Sequence, residues 1–456
     1  MTASTSLGET PIRPLFFQYY VPALISIAST TLHQLINGII LGQQVGKEGL
    51  GAVGLYGPVV IVFVSLTLPI MIGGGILIGK RIGAGDYDKV QQVFRFATTL
   101  VLLTGGVVAL MAPLLARPLA QFLAGAQNAA LADKVADYAF WQLISLPVFF
   151  LGMIWGNFVR TDNAPRVSRN ASLTAVAINL VLDLLLIVGL RMGVEGASIA
   201  TAVAFASGAL YLLVYIWKGK SHFSVRPFQF TLRLAEWKEL LTLGIPSFAS
   251  ELAFSAGLLF ISRSLTTYGP GAVAAFGLVN YVSFIFIRPL TAAMIASLPI
   301  MSFNIGAGRP DRVLATFRFA FGFTFGLGVL VTAIGLFIPQ LLITLFAGDE
   351  TGEFRQTASE AIRLYFLLFL AAGPNYVVGA YLQSIGRANL SSLISVLKGA
   401  GLVTLFLYVL PGYFGLGLSG IWLSRSLAEL SALLLVGLYM LYRQSEFFSE
   451  QVIRRS

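Results

Sequence analysis

Long apolar segments recur along the whole chain and constrain its fold more than any other feature. A helix needs about 20 residues to cross the ~30 Å hydrocarbon core of a bilayer, and twelve segments are long and apolar enough. Only 11% of the 456 residues are charged, against roughly 25% in a soluble domain. We therefore predict an all-α membrane protein. The predicted spans are 15–42, 53–79, 93–116, 135–159, 168–190, 195–217, 240–266, 272–302, 315–346, 358–384, 391–411 and 416–442.

Composition excludes several classes of function. The chain has no cysteine, which excludes disulfides, zinc ribbons and iron–sulfur clusters. Its two histidines, His33 and His222, are too few for a histidine-rich metal centre. No Gly-x-x-x-x-Gly-Lys-Ser/Thr or His-Glu-x-x-His motif occurs, so we expect neither ATP-driven pumping nor zinc-dependent hydrolysis. We expect a protein that is not an enzyme and carries no cofactor.

Basic residues are distributed unevenly between the predicted loops. With a cytoplasmic N-terminus, 21 of the 30 Lys and Arg residues fall on the inner side, Lys398 among them, and about six on the outer side. This excess predicts an inner (plasma) membrane protein with both termini in the cytoplasm. It also accounts for the net charge of +10 without a nucleic-acid partner. The polar residues 1–14 and the long apolar run after them predict no cleavable signal peptide.

An internal repeat divides the chain into two halves. Ile-Gly-Ala-Gly at 82–85 recurs at 305–308, and Phe-Arg-Phe-Ala at 94–97 recurs at 317–320, both with an offset of 223. Both copies follow even-numbered spans, so the halves have the same orientation, an arrangement found in secondary transporters. We predict two pseudo-symmetric six-helix bundles: an N-terminal lobe at 1–217, a basic cytoplasmic linker at 218–239 and a C-terminal lobe at 240–456.

Four stretches resemble the multidrug and toxic compound extrusion (MATE) family. They lie in the family's order and spacing across nearly the whole chain. They are 42–58, the repeated Ile-Gly-Ala-Gly loop, Asn-Leu-Val-Leu-Asp at 179–183 with Gly-Val-Glu-Gly-Ala at 193–197, and Gly-Ile-Trp at 420–422 with Ala-Glu at 428–429. Within the family, the chain looks most similar to the prokaryotic DinF-like branch.

The resemblance implies a function. It implies a monomeric antiporter that exports amphipathic, often cationic small molecules in exchange for protons, by alternating access. Two alternatives from the same superfamily stay open: a sodium-coupled multidrug antiporter and a lipid-linked flippase.

Asp183 and Asn179 lie one turn apart within the predicted fifth span, on one helix face. The resemblance implies that they form, with Thr201 and Asn37, the cation-coupling site of the N-terminal lobe. A buried carboxyl can take up a proton on one side and release it on the other, and its oxygens could join a Na⁺ shell. Asn37 departs from the aspartate common in proton-coupled members. Either Asp183 carries the proton alone, or coupling occurs elsewhere.

A second candidate coupling or substrate site comprises Glu251, Arg288, His33 and Gln34. Glu251 could couple or bind a substrate cation, or it could form a buried ion pair with Arg288. Arg288 could instead bind an anionic substrate group. A further pair, Arg425 and Glu429, is four residues apart on the last span and is expected to be structural.

Large side chains on the predicted cleft helices are candidates for binding substrate, because aromatic faces can hold a cation. These candidates are Phe260, Tyr281, Met294 and Tyr376.

Overall fold

The computed structural model describes residues 7–125, 128–232, 234–348 and 352–451, except for the side chains at 47, 48 and 234–236. Within these residues the fold is nearly all helical and contains no β-strand, as the sequence predicts. Arg233, Arg454 and Arg455, which contribute to the predicted inner-side charge, lie outside the described residues.

Two compact units make up the chain. The first holds Val21–Leu241, and the second holds Gly8–Tyr20 together with the residues from Thr242 onward. The first helix therefore contributes residues to both units. The linker predicted at 218–239 belongs to the first unit.

Helices in the first half are separated by short turns. They are α1 (Ile12–Gln44), α2 (Lys47–Gly83), α3 (Tyr87–Ala124), α4 (Ala129–Ile144), α5 (Leu146–Thr161), α6 (Pro165–Asp183) and α7 (Gly193–Trp217), with a π-helical turn at Leu184–Gly189.

Helices in the second half are more often interrupted. They are α8 (Leu234–Leu265), α9 (Pro270–Gly306), α10 (Pro310–Phe337), α11 (Pro339–Ala347), α12 (Glu353–Tyr365), α13 (Phe369–Ser384), α14 (Ala388–Val396), α15 (Leu402–Tyr408), α16 (Gly417–Tyr442) and α17 (Gln444–Phe447). Two π-helical turns, Leu397–Gly401 and Val409–Tyr413, flank α15, and 3₁₀ turns occupy Thr266–Tyr268 and Phe366–Leu368.

Eleven stretches of helix in the described residues are long and apolar enough to cross a bilayer. The pair α4 and α5, bent by 50°, passes the same test together, which gives up to twelve spans as predicted. Large apolar side chains on these helices face outward, as a lipid environment allows: Leu110, Phe122 and Phe337 are each more than four-fifths exposed.

The predicted ninth span, 315–346, is wrong as a single helix. The structure ends α10 at Phe337 and starts the short α11 at Pro339. Proline has no backbone N–H and its ring clashes with the preceding turn, so Pro339 can begin a helix but cannot continue one.

The repeated Ile-Gly-Ala-Gly loop is a helix-ending turn in both halves. Gly85 and Gly308 have φ values of 74° and 65°, a left-handed conformation that favours glycine. After the first copy, the Asp86 carboxylate accepts a hydrogen bond from the Lys89 backbone N–H over 3.3 Å and caps α3. The motif therefore repeats because each half needs the same chain reversal at this point.

The segment after α7 is anchored to the first unit by polar contacts. The His222 backbone N–H donates to Asp162 Oδ2 over 3.0 Å, and the His222 ring contacts Asp162 Oδ1 and stacks on Tyr87 at 4.8 Å. Gln91 and Ser224 exchange two hydrogen bonds of 2.7 Å. The hydrogen bond to Asp162 raises the pKa of His222.

A buried apolar core holds the second unit together. It includes Phe276, Phe366, Phe369 and Trp422, each at most 5% exposed. Close helix packing accompanies this core. A Cβ added at Gly257 of α8 would lie 2.1 Å from the Gly399 carbonyl oxygen, in the π-helical turn Leu397–Gly401.

Candidate functional site

The first unit brings four polar side chains into one cluster, which we call the Asp183 cluster: His33, Asn179, Asp183 and Thr201. Asn179 and Asp183 lie one turn apart at the end of α6. The Asn179 amide donates to Thr201 Oγ1 on α7 over 3.5 Å. His33 Nε2, from α1, contacts the Asn179 amide oxygen and lies 3.9 Å from Asp183 Oδ2.

The Asp183 carboxyl is fully buried in this cluster. Neither of its oxygens accepts a hydrogen bond from the described residues, although Tyr138 of α4 lies close enough to interact electrostatically. A buried charge without donors carries a large desolvation cost. A proton or a small cation at Asp183 would remove that cost. The arrangement is therefore suited to reversible binding of one positive charge.

The π-helical turn Leu184–Gly189 begins at the residue after Asp183. At its end the Leu190 N–H donates a hydrogen bond to the Leu185 carbonyl, five residues earlier, over 2.8 Å. Such turns inside helices are frequent at functional sites. Asp183 thus lies where the helical hydrogen bonds change register, towards the end of the span Pro165–Gly189.

The other predicted residues of α1 are placed differently. Asn37 is partly buried, and its Oδ1 atom is buried without a hydrogen-bond partner among the described residues. Gln34 is exposed and does not join the Asp183 cluster. His33, which the sequence groups with Glu251 and Arg288, instead contacts Asn179. The spacing of one turn between His33 and Asn37 is the sequence signal for this placement.

Glu251 and Arg288 are partly buried in the second unit. They interact electrostatically, but no ion pair within 4.0 Å joins Arg288 to a described carboxylate. The guanidinium of Arg288 lies 3.7 Å from the ring centroid of Phe284, and its Nε atom is buried without a hydrogen-bond partner in the described part of the chain. Glu251 and Arg288 therefore do not form a closed ion pair in this structure.

A buried charged group lies deeper in the same unit. Lys398 Nζ is 3.1 and 3.2 Å from the two carboxylate oxygens of Glu429, and Arg425 is 3.4 Å from Glu429 Oε1. The Asn375 amide donates to Glu429 Oε2 over 2.7 Å. Lys398, Arg425 and Glu429 are each at most 6% exposed. We call these three side chains the Lys398 triad. The predicted pairing of Arg425 with Glu429 is confirmed.

Lys398 corrects the sequence analysis, which counts it among inner-side residues. It lies in the π-helical turn Leu397–Gly401 inside the span Ala388–Tyr413, so the inner-side count falls by one. The position of this lysine within the apolar run 391–411 could have indicated that it is buried inside a span. Its partner Glu429 is distant in sequence, and only the fold reveals the pair.

Of the four side chains predicted to bind substrate, Tyr376 lies next to the Lys398 triad. The ring of Tyr376 faces Lys398, with its centroid 4.9 Å from Nζ, and Tyr376 interacts electrostatically with Arg288 and Glu251. Phe260 is exposed and Met294 is partly buried. Tyr281 is exposed and packs edge-on against Phe346 of α11, with 5.8 Å between centroids.

Within the described residues, no group of three or more His, Cys, Asp or Glu side chains is placed so that it could hold a metal ion. Asp183 and Asn37 each have side-chain oxygens without a hydrogen-bond partner among the described residues, and oxygen is the ligand that hard cations prefer.

Comparison with known proteins assigns the family. The MatE family profile matches residues 22–185 and again 246–409, so each half of the internal repeat matches it once. The chain belongs to the MatE family of membrane transporters and is not an enzyme.

Two curated relatives are similar along almost their full length. The probable multidrug resistance protein YoeA of Bacillus subtilis is 25% identical over 435 residues, covering 92% of both chains. The multidrug export protein MepA of Staphylococcus aureus is 26% identical over 442 residues, covering 94% of both. The fold is shared with an outward-facing multidrug resistance MATE transporter of the MOP superfamily, at a TM-score of 0.89 and 22% identity over 98% of this chain and 99% of that one.

Proposed function

We propose that this chain is a secondary active antiporter that exports amphipathic, often cationic small molecules in exchange for protons. The observation that carries the proposal is the Asp183 carboxyl, fully buried and without a hydrogen-bond donor among the described residues. Membership of a transporter family and relatives named as multidrug export and resistance proteins support an efflux role.

Coupling would follow from the contacts of the Asp183 cluster. A protonated Asp183 can donate a hydrogen bond, whereas the carboxylate can only accept. Protonation would therefore change the bonding among Asp183, Asn179 and His33, and a ligand that binds two states unequally shifts the balance between them. In this way, the proton would bias the exchange between outward-open and inward-open states.

The membrane context is part of the proposal. The predicted excess of basic residues on one side supports a plasma-membrane protein with both termini in the cytoplasm. We propose that it works as a monomer and that its only ionic cofactor is the coupling ion.

Sodium is the second candidate for the coupling ion. The unpartnered oxygens of Asp183 and Asn37 and the Thr201 hydroxyl favour it, because hard cations prefer oxygen ligands. Asp183 would supply the charge in either case.

The test is drug-induced ion movement in proteoliposomes loaded with a pH-sensitive dye, with and without sodium. Wild type would be compared with Asp183→Asn and with Asp137→Asn, an equivalent change at an exposed position of α4. We expect substrate-driven proton movement without sodium in wild type and Asp137→Asn, and its loss in a folded Asp183→Asn protein.

Other results would redirect the proposal. If drug-induced ion movement requires sodium, the coupling ion is sodium and not the proton. If proton movement persists in Asp183→Asn, Asp183 does not take part in coupling. Binding of a lipid pyrophosphate with no ion movement for any cationic drug would favour a flippase.

A further inference from the structure

We propose that Arg288 binds an anionic group of the transported molecule, so that the preferred substrates are amphiphiles carrying a carboxylate or similar anion beside their cation. This inference rests on the proposed efflux function and specifies its substrate class.

The charge balance in the second unit supports this assignment. Its membrane-level polar side chains include three cations, Arg288, Lys398 and Arg425, and two carboxylates, Glu251 and Glu429. Lys398 and Arg425 share Glu429 at 3.1 and 3.4 Å, and all three are buried. Arg288 lies beyond 4.0 Å from every described carboxylate. Arg288 therefore has no close counter-charge among the described residues, and its side chain is only partly buried, so a ligand can supply that counter-charge.

The surroundings of Arg288 define what it can bind. Its guanidinium carbon lies 3.7 Å from the Phe284 ring centroid, so the ring is in contact with the charged group without accepting a conventional hydrogen bond from it. Nε is buried and makes no hydrogen bond within the described chain. A guanidinium edge binds carboxylate or phosphate through two parallel hydrogen bonds. A planar anionic ligand fits this geometry.

Glu251 extends the site to zwitterions. It interacts electrostatically with Arg288 without closing an ion pair, so both charges remain available to a ligand. A molecule with one cationic and one anionic group could satisfy Glu251 and Arg288 together, with its apolar body against Phe284 or Tyr376. A purely cationic molecule would instead meet repulsion from Arg288, which is how a site discriminates against an unwanted ligand.

Rhodamine B and its ethyl ester provide a matched test, because they share one cationic ring system and differ in a free carboxylate. Dissociation constants would be measured by fluorescence anisotropy on the purified full chain, for wild type, Arg288→Gln, Arg288→Lys and Arg263→Gln. Arg263 is an exposed arginine near the end of α8. A hydrogen bond to a charged group is worth about 1.5–3 kcal/mol, so we expect wild type to bind rhodamine B about tenfold or more tighter than the ester.

The variants distinguish the contribution of the Arg288 guanidinium to the affinity ratio from nonspecific effects of substitution. We expect the affinity ratio to fall to about one in Arg288→Gln, to be partly kept in Arg288→Lys, and to be unchanged in Arg263→Gln. Equal wild-type affinity for both dyes, or a ratio unaffected by Arg288→Gln, would overturn the inference, and export of the ester would then leave the efflux proposal standing. Absence of binding and export for both dyes would contradict the proposed function and the inference with it.

Discussion

His33 Nε2 lies 3.9 Å from Asp183 Oδ2, so an imidazole and a fully buried carboxyl face each other inside the first unit. The imidazole also contacts the Asn179 amide oxygen, which links the two residues through a third. Proton binding at Asp183 therefore changes the electrostatic environment of His33, which also contacts Asn179. The role of His33 can be separated into hydrogen bonding and titration.

Two substitutions at His33 make this separation. Glutamine can still donate to the Asn179 oxygen but cannot take up a proton, whereas leucine can do neither. A buried polar atom that loses its partner costs about 1–3 kcal/mol. We expect His33→Gln to keep most of the drug-induced proton movement in proteoliposomes and His33→Leu to lose most of it. Equal loss in both variants would show that titration of His33 itself is required.

The Lys398 triad carries one positive charge in excess, which predicts an order of stability. Glu429→Gln leaves two buried cations without a counter-charge, whereas Lys398→Met leaves the Arg425–Glu429 pair intact and the triad neutral. Removing a partner from a buried ion pair typically costs about 3–5 kcal/mol. We expect Glu429→Gln to lower the melting temperature in detergent clearly more than Lys398→Met. The reverse order would contradict this account of the charges in the triad.

Close packing at Gly257 predicts a steric effect with an internal control. A Cβ there would lie 2.1 Å from the Gly399 carbonyl oxygen, whereas a Cβ at Gly277 of α9 would meet no atom within 4 Å. Alanine favours a helix over glycine by about 1 kcal/mol. We therefore expect Gly257→Ala to be destabilising and Gly277→Ala to be neutral or slightly stabilising, as judged by thermal unfolding. Similar melting temperatures for the two variants would argue against the contact between α8 and the π-helical turn.

Attachment of the segment after α7 should depend on pH through His222. The hydrogen bond to Asp162 raises the pKa of His222 above its ordinary value of 6.5. The stabilisation is thus fully present below about pH 6.5 and is lost as the pH rises through the raised pKa. We expect hydrogen exchange of residues 218–232 to accelerate over that range beyond its intrinsic increase.

Replacing His222 with phenylalanine, whose ring cannot be protonated, provides the control for this pH effect. His222→Phe can keep the stacking on Tyr87 but cannot be protonated. We expect its corrected exchange rates in 218–232 to be flat across the same pH range. A pH dependence that persists in His222→Phe would assign the effect to another group.

The sequence predicts the fold class well because apolar length alone specifies a membrane-spanning helix. Hydropathy failed at Pro339, where the apolar run continues but the helix does not. The placement of Asn179 and Asp183 one turn apart on one helix face followed from helical spacing. The contacts of His33 with Asn179 and of Lys398 with Glu429 join residues distant in sequence. Local pattern cannot predict such contacts.

Two of the π-helical turns occupy matching places in the two halves. Leu184–Gly189 follows Asp183 in the first half, and Val409–Tyr413 occupies the matching place in the second, separated by 225 residues at their starts and 224 at their ends. Such turns are rare and appear mostly as single interruptions of an α-helix. The likeness of the two halves therefore extends beyond their short shared sequence motifs to a break in the regular backbone hydrogen bonding, placed alike in both.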